Sequence, residues 1–257
     1  MKTLGVVNQK GGVGKTTTTF HIGTALAPDI RVLMIDMDPQ GGLTYMATGK
    51  DPDEYELTIA DVLLGEIPIT EAIVPLREKL DLVPANIFLS GVEAQLINKI
   101  QRELRLKNVL KNVADRYDFI IIDTPPSLGL LTINTLFASD GMLIPVEAKL
   151  MGLRGMAILQ NLLADIKNNV EGFDIEIVGV LPTFYDKRTT LSREVLSEIR
   201  EVFGSKVKVL PPIKMTTKLA ETPAFNIPVY ERPETKGSDV AQTYFEIAKE
   251  VEKWLKS

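Results

Sequence analysis

The stretch Leu4–Thr17, LGVVNQKGGVGKTT, constrains the fold more than any other part of the chain. A short apolar run that reads as a strand meets a glycine-rich turn, and a helical pattern starts directly after it. Where a strand feeds a helix through such a turn, backbone N–H groups converge on one point and the helix N-terminus adds positive potential. That arrangement suits a polyphosphate. Gly11, Gly12, Val13 and Gly14 form the cradle, and glycine lets the backbone approach the ligand closely. Lys15 is placed to reach the β- and γ-phosphates, the Thr16 hydroxyl to ligate Mg²⁺, and Thr17 to contact the α-phosphate region. Two positions depart from the common pattern. Gln9 stands where such loops usually carry glycine, and Lys10 adds a second lysine five residues ahead of Lys15.

The remaining pattern supplies a matching scaffold. Strand-like runs lie at Thr3–Val7, Arg31–Ile35, Leu80–Pro84, Phe119–Ile122, Gly141–Val146 and Ile175–Leu181. Most are nearly continuous in Val, Ile and Leu, as strands buried on both faces are. Helical patterns fall between them, for example Lys99–Ala114, Gly155–Lys167 and Leu191–Phe203. The alternation predicts an α/β fold of the P-loop NTPase type, a mostly parallel twisted sheet with helices on both faces. Residues 1–257 read as a single domain, and Pro211–Pro233 as a folded connection, because apolar residues are scattered through it.

Composition excludes several chemistries. There is no cysteine, hence no disulfide, thiolate-bound zinc or iron–sulfur cluster. His21 is the only histidine and reads as a partly buried residue of the helix after the glycine loop. No apolar run reaches the ~20 residues that a membrane-spanning helix needs. The N-terminal residues MKTLGVVNQ do not read as a leader, so an intracellular protein is expected. The net charge of −5 makes any nucleic-acid surface a local patch.

Carboxylates end two of the strands. In MIDMDPQGG, Asp36 and Asp38 flank one residue and point the same way, toward the ligand crevice, if the strand persists; turn formation before proline is the alternative. In YDFIIIDTPPS, an apolar strand ends in Asp123, which has the form of a carboxylate held near Mg²⁺, with helix capping as the alternative. In an open parallel sheet, ligands bind at this carboxyl edge of the strands.

Together, KGGVGKTT, DMDPQGG and IIIDTPPS resemble the deviant Walker A ATPases of the ParA/MinD group, and the likeness to ParA/Soj-type partition ATPases runs along nearly the whole chain. LVPANIFLSGVEAQL, YDKRTTLSREV and KLAETPAFNIPVYERPETKG resemble further family segments. The resemblance implies that ATP and Mg²⁺ are bound and that Lys10 reaches across a homodimer to the partner's nucleotide. It also implies that Asp38 orients the attacking water, that Asp36 supports the magnesium shell, and that Thr124–Gly129 is a switch segment. Slow ATP hydrolysis, non-specific DNA binding by the ATP dimer, stimulation by a ParB-like partner, and a cytoplasmic, nucleoid-associated location are implied with them. Family adenine contacts correspond to Lys214–Thr216. The sequence has Gly42 where the family often has Asn, Met215 where it often has Arg, and Lys149 where relatives often have an acid.

A DNA surface of such a protein would need clustered basic residues, and the segment Tyr185–Lys218 supplies them. It contains eight Lys/Arg (Lys187, Arg188, Arg193, Arg200, Lys206, Lys208, Lys214 and Lys218) against four acids, on an otherwise acidic chain. Lys187, Arg188, Arg193, Lys214 and Lys218 are the candidate DNA contacts. A second cluster comprises Lys99, Arg102, Arg105, Lys107 and Lys111. A solvated helix face accounts for any single one of these residues equally well, but the segment as a whole reads as a DNA surface. Two other functions stay open: a MinD-like membrane-positioning ATPase and a P-loop metabolic ligase or kinase. Against the first, Val240, Tyr244, Ile247, Val251 and Trp254 or Leu255 make one helical stripe suited to packing on the body, and the opposite face carries Glu246, Glu250 and Glu252.

Overall fold

Each central strand is apolar at successive positions, and in the computed structural model both faces are covered. The structure describes residues 1–149, 152–205 and 207–257. Among them, seven strands form one sheet: β1 (Lys2–Val6), β2 (Val32–Asp36), β3 (Val74–Arg77), β4 (Leu80–Val83), β5 (Phe119–Asp123), β6 (Gly141–Glu147) and β7 (Glu176–Thr183). Their order is β3-β4-β2-β5-β1-β6-β7. All neighbouring pairs are parallel except β3 with β4.

Side chains alternate across the strands. Leu4, Val6, Val32, Met34, Phe119 and Ile121 face one layer, while Leu33, Ile35, Ile120 and Ile122 face the other. The first layer is closed by α1 (Lys15–Leu26), α2 (Gly42–Thr48) and the C-terminal helix, whose Tyr244, Ile247 and Val251 are fully or almost fully buried. The second layer is closed by α3 (Ile59–Leu64), α4 (Leu89–Leu96), α5 (Arg105–Leu110) and α6 (Leu130–Ala138). Toward β7 the covering helices are α7 (Gly152–Asn169) and α8 (Thr190–Phe203). Two short helices, α9 (Thr217–Ala220) and α10 (Thr222–Phe225), precede α11 (Asp239–Lys256). Among the described residues no helix is long and apolar enough to cross a membrane.

Three features differ from the sequence expectation, and a fourth, the Pro-rich connection, gains detail. The edge strand β3 gives no continuous apolar run, because its residues alternate between half-buried and exposed and its register with β4 shifts between Pro75 and Arg77. The pattern Lys99–Ala114 is not one helix. Gln101 takes a left-handed conformation, φ 55°, and 3-10 turns at Arg102–Leu104 and Lys111–Val113 flank α5. The Pro-rich connection folds, but into α9 and α10. His21 is fully buried rather than partly so. Its Nε2 accepts the Val229 N–H at 3.2 Å, which leaves the proton on Nδ1, 2.7 Å from the Thr17 carbonyl. Burial pushes its pKa down to about 4, against the opposing pull of the Thr17 bond. The ring stacks on Tyr244 of α11 at 4.3 Å.

Candidate functional site

The glycine loop joins β1 to α1 at the carboxyl edge of the sheet. Gly12 and Gly14 sit at φ 71° and 90°, values that side chains rarely tolerate, and Gly14 caps α1 with no side chain in the way. The loop is tied down on two sides. The buried Asn8 donates from Nδ2 to the Pro145 carbonyl at 2.7 Å, and its Oδ1 accepts the Lys10 N–H at 3.0 Å. On the other side, the Thr183 hydroxyl donates to the Val13 carbonyl at 2.9 Å. Gly11 rests against Pro126 of the segment after β5. The space beside the Gly12 α-carbon is open, with no atom within 4 Å of where a side chain would start.

The two loop lysines point to different partners. Lys15 is buried, and its ammonium donates to the Lys10 carbonyl at 3.2 Å. Burial lowers its pKa, while the charges of Asp123 and Asp38 oppose that shift. The Lys10 ammonium instead pairs with Oε2 of Glu147, the last residue of β6, and Oε1 of the same carboxylate takes Lys149. Burial would push the Glu147 carboxyl up, but the bonds and charges of Lys10 and Lys149 outweigh it and hold it below the usual carboxylate range.

Thr16, Asp36, Asp38 and Asp123 meet beside the loop. The Thr16 hydroxyl donates to Asp123 Oδ2 at 2.6 Å, and Asp123 Oδ1 is buried without a partner among the described residues. Burial and the neighbouring Asp36 charge push the Asp123 carboxyl well up. Two carboxylate oxygens and a hydroxyl in a buried pocket, one oxygen unpartnered, fit a hard cation with oxygen ligands. Asp36 is different. Its Oδ2 accepts the Thr44 N–H and hydroxyl, each at 2.8 Å, and its Oδ1 accepts the Asp38 N–H at 3.0 Å. Burial raises its pKa to about 6 against those bonds. The strand ends at Asp36, so Asp38 lies in the following turn, where Oδ1 accepts the Gln40 N–H at 3.0 Å. The two aspartates therefore do not extend in parallel from one strand.

Next to the loop is a cavity of about 160 Å³ lined by Gly14, Thr17, Phe184, Met215, Thr216 and Tyr244, among others. Lys214 and Thr216 line it, but their polar groups are turned elsewhere. The Lys214 ammonium pairs with Asp239, and the Thr216 hydroxyl caps α9. Phe184 and Tyr244 carried no sequence signal, since one sits past the end of β7 and the other belongs to the stripe that reads as core.

Backbone pairing gathers part of the basic segment. The Tyr185 N–H donates to the Ile213 carbonyl and the Met215 N–H to the Tyr185 carbonyl, both at 3.0 Å. Lys187 and Lys218 lie near enough to depress the Asp239 carboxyl together with its direct partner Lys214. Arg193 stands on the first turn of α8 with its guanidinium 3.2 Å from Thr190 Oγ1. Arg188 is paired with Asp186 at 2.8 Å. Lys208 points away from this group, to Glu250 of α11. Lys206 lies outside the described residues. The eight cations are thus not one patch.

A phosphate loop between β1 and α1, with strand-end carboxylates beside it, defines a P-loop nucleoside triphosphatase fold. The AAA domain family model matches residues 1–177. The chain is 41% identical to sporulation initiation inhibitor protein Soj of Bacillus subtilis (strain 168), over 97% of this chain and 98% of that one. It is 38% identical to chromosome partitioning protein ParA of Caulobacter vibrioides (strain NA1000 / CB15N), over 98% and 94%. Among solved structures it is similar to cobyrinic acid a,c-diamide synthase from Mycobacterium smegmatis with bound ATP analog and magnesium, at TM-score 0.85 and 37% identity over 100% and 96% of the chains. It is also similar to the Cyanothece McdA(D38A)-ATP complex, at TM-score 0.88 and 26% identity over 98% and 96%. The chain belongs to the ParA/Soj-type partition ATPases of the deviant Walker A family.

Proposed function

We propose that this protein is an ATP-dependent DNA-segregation ATPase that binds DNA without sequence preference as an ATP-bound homodimer and releases it on hydrolysis. The observation that carries this reading is the divergence of the two loop lysines. Lys15 belongs to its own loop, whereas the Lys10 ammonium sits outside it and is half-exposed, 36% for the side chain. A cation so placed is available to a neighbouring subunit's triphosphate, and neutralising that charge makes nucleotide a dimerisation switch.

Gly11, Gly12, Val13, Gly14, Lys15, Thr16 and Thr17 hold the phosphates of ATP in this reading. Thr16 and Asp123 hold Mg²⁺, and Asp36 braces the site from behind, since its oxygens are already engaged. Mg²⁺, when bound, neutralises charge on the β- and γ-phosphates. Asp38, in the turn at the mouth of the site, orients the attacking water. Intrinsic turnover is slow, because a binding switch needs a long-lived ATP state, and a ParB-like partner speeds it. Lys187, Arg193, Lys214 and Lys218, with Arg188 beside them, make phosphate contacts. Dimerisation doubles those contacts, and affinity then rises steeply because each releases counterions. The molecule acts in the cytoplasm on the nucleoid.

The apolar stripe of α11 is consumed in packing, which speaks against a membrane-positioning role. The diamide synthase likeness keeps a metabolic ligase as the competing class. A plasmid mobility assay with ATP, with ADP and at raised salt, beside liposome sedimentation, separates the three. ATP-dependent, salt-sensitive DNA retention is expected; retention on neither DNA nor liposomes would leave the ligase. Lys10→Ala is expected to keep nucleotide binding and lose the dimer, and Asp38→Ala to trap the ATP dimer on DNA. A monomeric Asp38→Ala protein in ATP would reject the role given to Asp38.

A further inference from the structure

We propose that Glu147 and Lys149 are positioning residues for Lys10: Glu147 stores the Lys10 ammonium on its own subunit, and Lys149 keeps Glu147 compensated when Lys10 leaves for a partner's triphosphate. The proposal rests on the trans role of Lys10 argued above and assigns a purpose to a lysine where relatives often have an acid.

The geometry is that of one carboxylate shared by two cations. Glu147 ends β6, the neighbour of β1, so it faces the start of the phosphate loop. Its side chain is only 13% exposed, and each oxygen has its own lysine, Oε2 with Lys10 and Oε1 with Lys149. The Lys149 N–H donates to the Glu147 carbonyl at 2.8 Å, a tight local turn that folds the Lys149 side chain back onto the carboxylate. The Lys149 ammonium also stands 5.6 Å from the centre of the Phe184 ring. The backbone of Lys10 is anchored through Asn8 to Pro145. The loop therefore stays where it is, and only the Lys10 side chain has to swing.

Glu147 is the covered member of the cluster, whereas Lys10 and Lys149 reach solvent, so taking one lysine away leaves the carboxylate less compensated. With Glu147 paired to Lys10 alone, every release of Lys10 would leave the carboxylate without a counter-charge. With Lys149 in place, release leaves one ion pair behind. Lys149 thus lowers the barrier to dimerisation without touching nucleotide. Glu147 opposes dimerisation, because Lys10 must leave it.

The test uses the full chain with a non-hydrolysable ATP analogue and Mg²⁺, measuring the dimer dissociation constant by analytical ultracentrifugation and analogue affinity at protein concentrations that keep it monomeric. Glu147→Gln is expected to tighten the dimer by roughly threefold or more, and Lys149→Met to weaken it by a similar factor, as coupled charges in one network do. Monomer affinity for the analogue is expected to stay constant in both. The Glu147→Gln/Lys149→Met double variant is expected to match Glu147→Gln alone, since Lys149 has no role once the carboxylate is gone. That epistasis is the readout a merely structural lysine would not produce. An unchanged dimer constant in Lys149→Met, or an equal loss in the Glu147→Gln background, overturns the proposal while the trans role of Lys10 stands. If the unaltered protein forms no dimer with the analogue, the trans role falls and this proposal falls with it.

Discussion

Asp36 and Asp123 end neighbouring parallel strands in the same register, side by side and both fully buried. Burial away from water pushes both carboxyls up in pKa; the Asp36 charge adds to the rise at Asp123, and the Asp38 charge to that at Asp36. Two buried carboxyl groups side by side are unfavourable by themselves and suited to a divalent cation, the kind of local strain that functional sites retain.

Replacing Asp123 by Asn should therefore stabilise the protein in the absence of nucleotide and Mg²⁺. The amide oxygen can still accept from Thr16, and the buried charge is gone. A gain of about 1–3 kcal/mol at pH 8 is expected from chemical denaturation, the scale of one unfavourable buried charge. Mg²⁺-dependent ATP turnover should be lost in the same variant. A lower unfolding midpoint for Asp123→Asn would contradict the electrostatic account.

His21 should give the fold a pH dependence of opposite origin. Its folded pKa, about 4, lies below the ordinary value of 6.5, so the unfolded chain takes up the proton first as pH falls. The stability it contributes is complete above the unfolded value and is lost as pH drops from there toward the folded pKa. By pH 5 the loss is about 2 kcal/mol. Urea unfolding of the parent and of His21→Gln at pH 7.5 and pH 5 measures it: the parent should lose more than the variant by about that amount.

Asp239 lies among Lys187, Lys214 and Lys218 and pairs with Lys214, where its charge competes with any phosphate. Asp239→Asn should strengthen DNA retention in the ATP state several-fold at low salt. The slope of log affinity against log salt should steepen by about one unit per subunit contact freed. Filter retention over a salt series reads both quantities, and weaker binding with nucleotide affinity intact would remove Lys214 from the DNA surface.

Trp254 is the only tryptophan, and it is mostly buried where α11 meets the sheet, its Nε1 donating to Glu176 at 2.8 Å. Its emission therefore reports the docking of α11. Val251→Ala, at a fully buried point of the same stripe, should cost about 1–3 kcal/mol and shift the fluorescence transition with the far-UV transition. Liposome binding should not appear. A fluorescence change preceding global unfolding would mean that α11 detaches as a separate unit.

The β–α alternation, the phosphate loop and the strand-end aspartates were legible in the residues themselves. The reason is that each depends on local chemistry: continuous apolar runs buried on both faces, a turn that only glycine allows, a carboxylate closing a strand. Edge strand β3 and the break at Gln101 were not legible, because an exposed edge needs no apolar run and a left-handed residue that is not glycine leaves no mark in the pattern. Tertiary structure alone decided that Asp36 is braced by Thr44 and Asp38, that Lys10 and Lys149 share Glu147, and that Lys208 turns toward α11 while Lys214 turns to Asp239. Those outcomes depend on which segments the fold brings within a few ångströms of each other, and charge pairing between residues far apart in the chain has no periodicity to read.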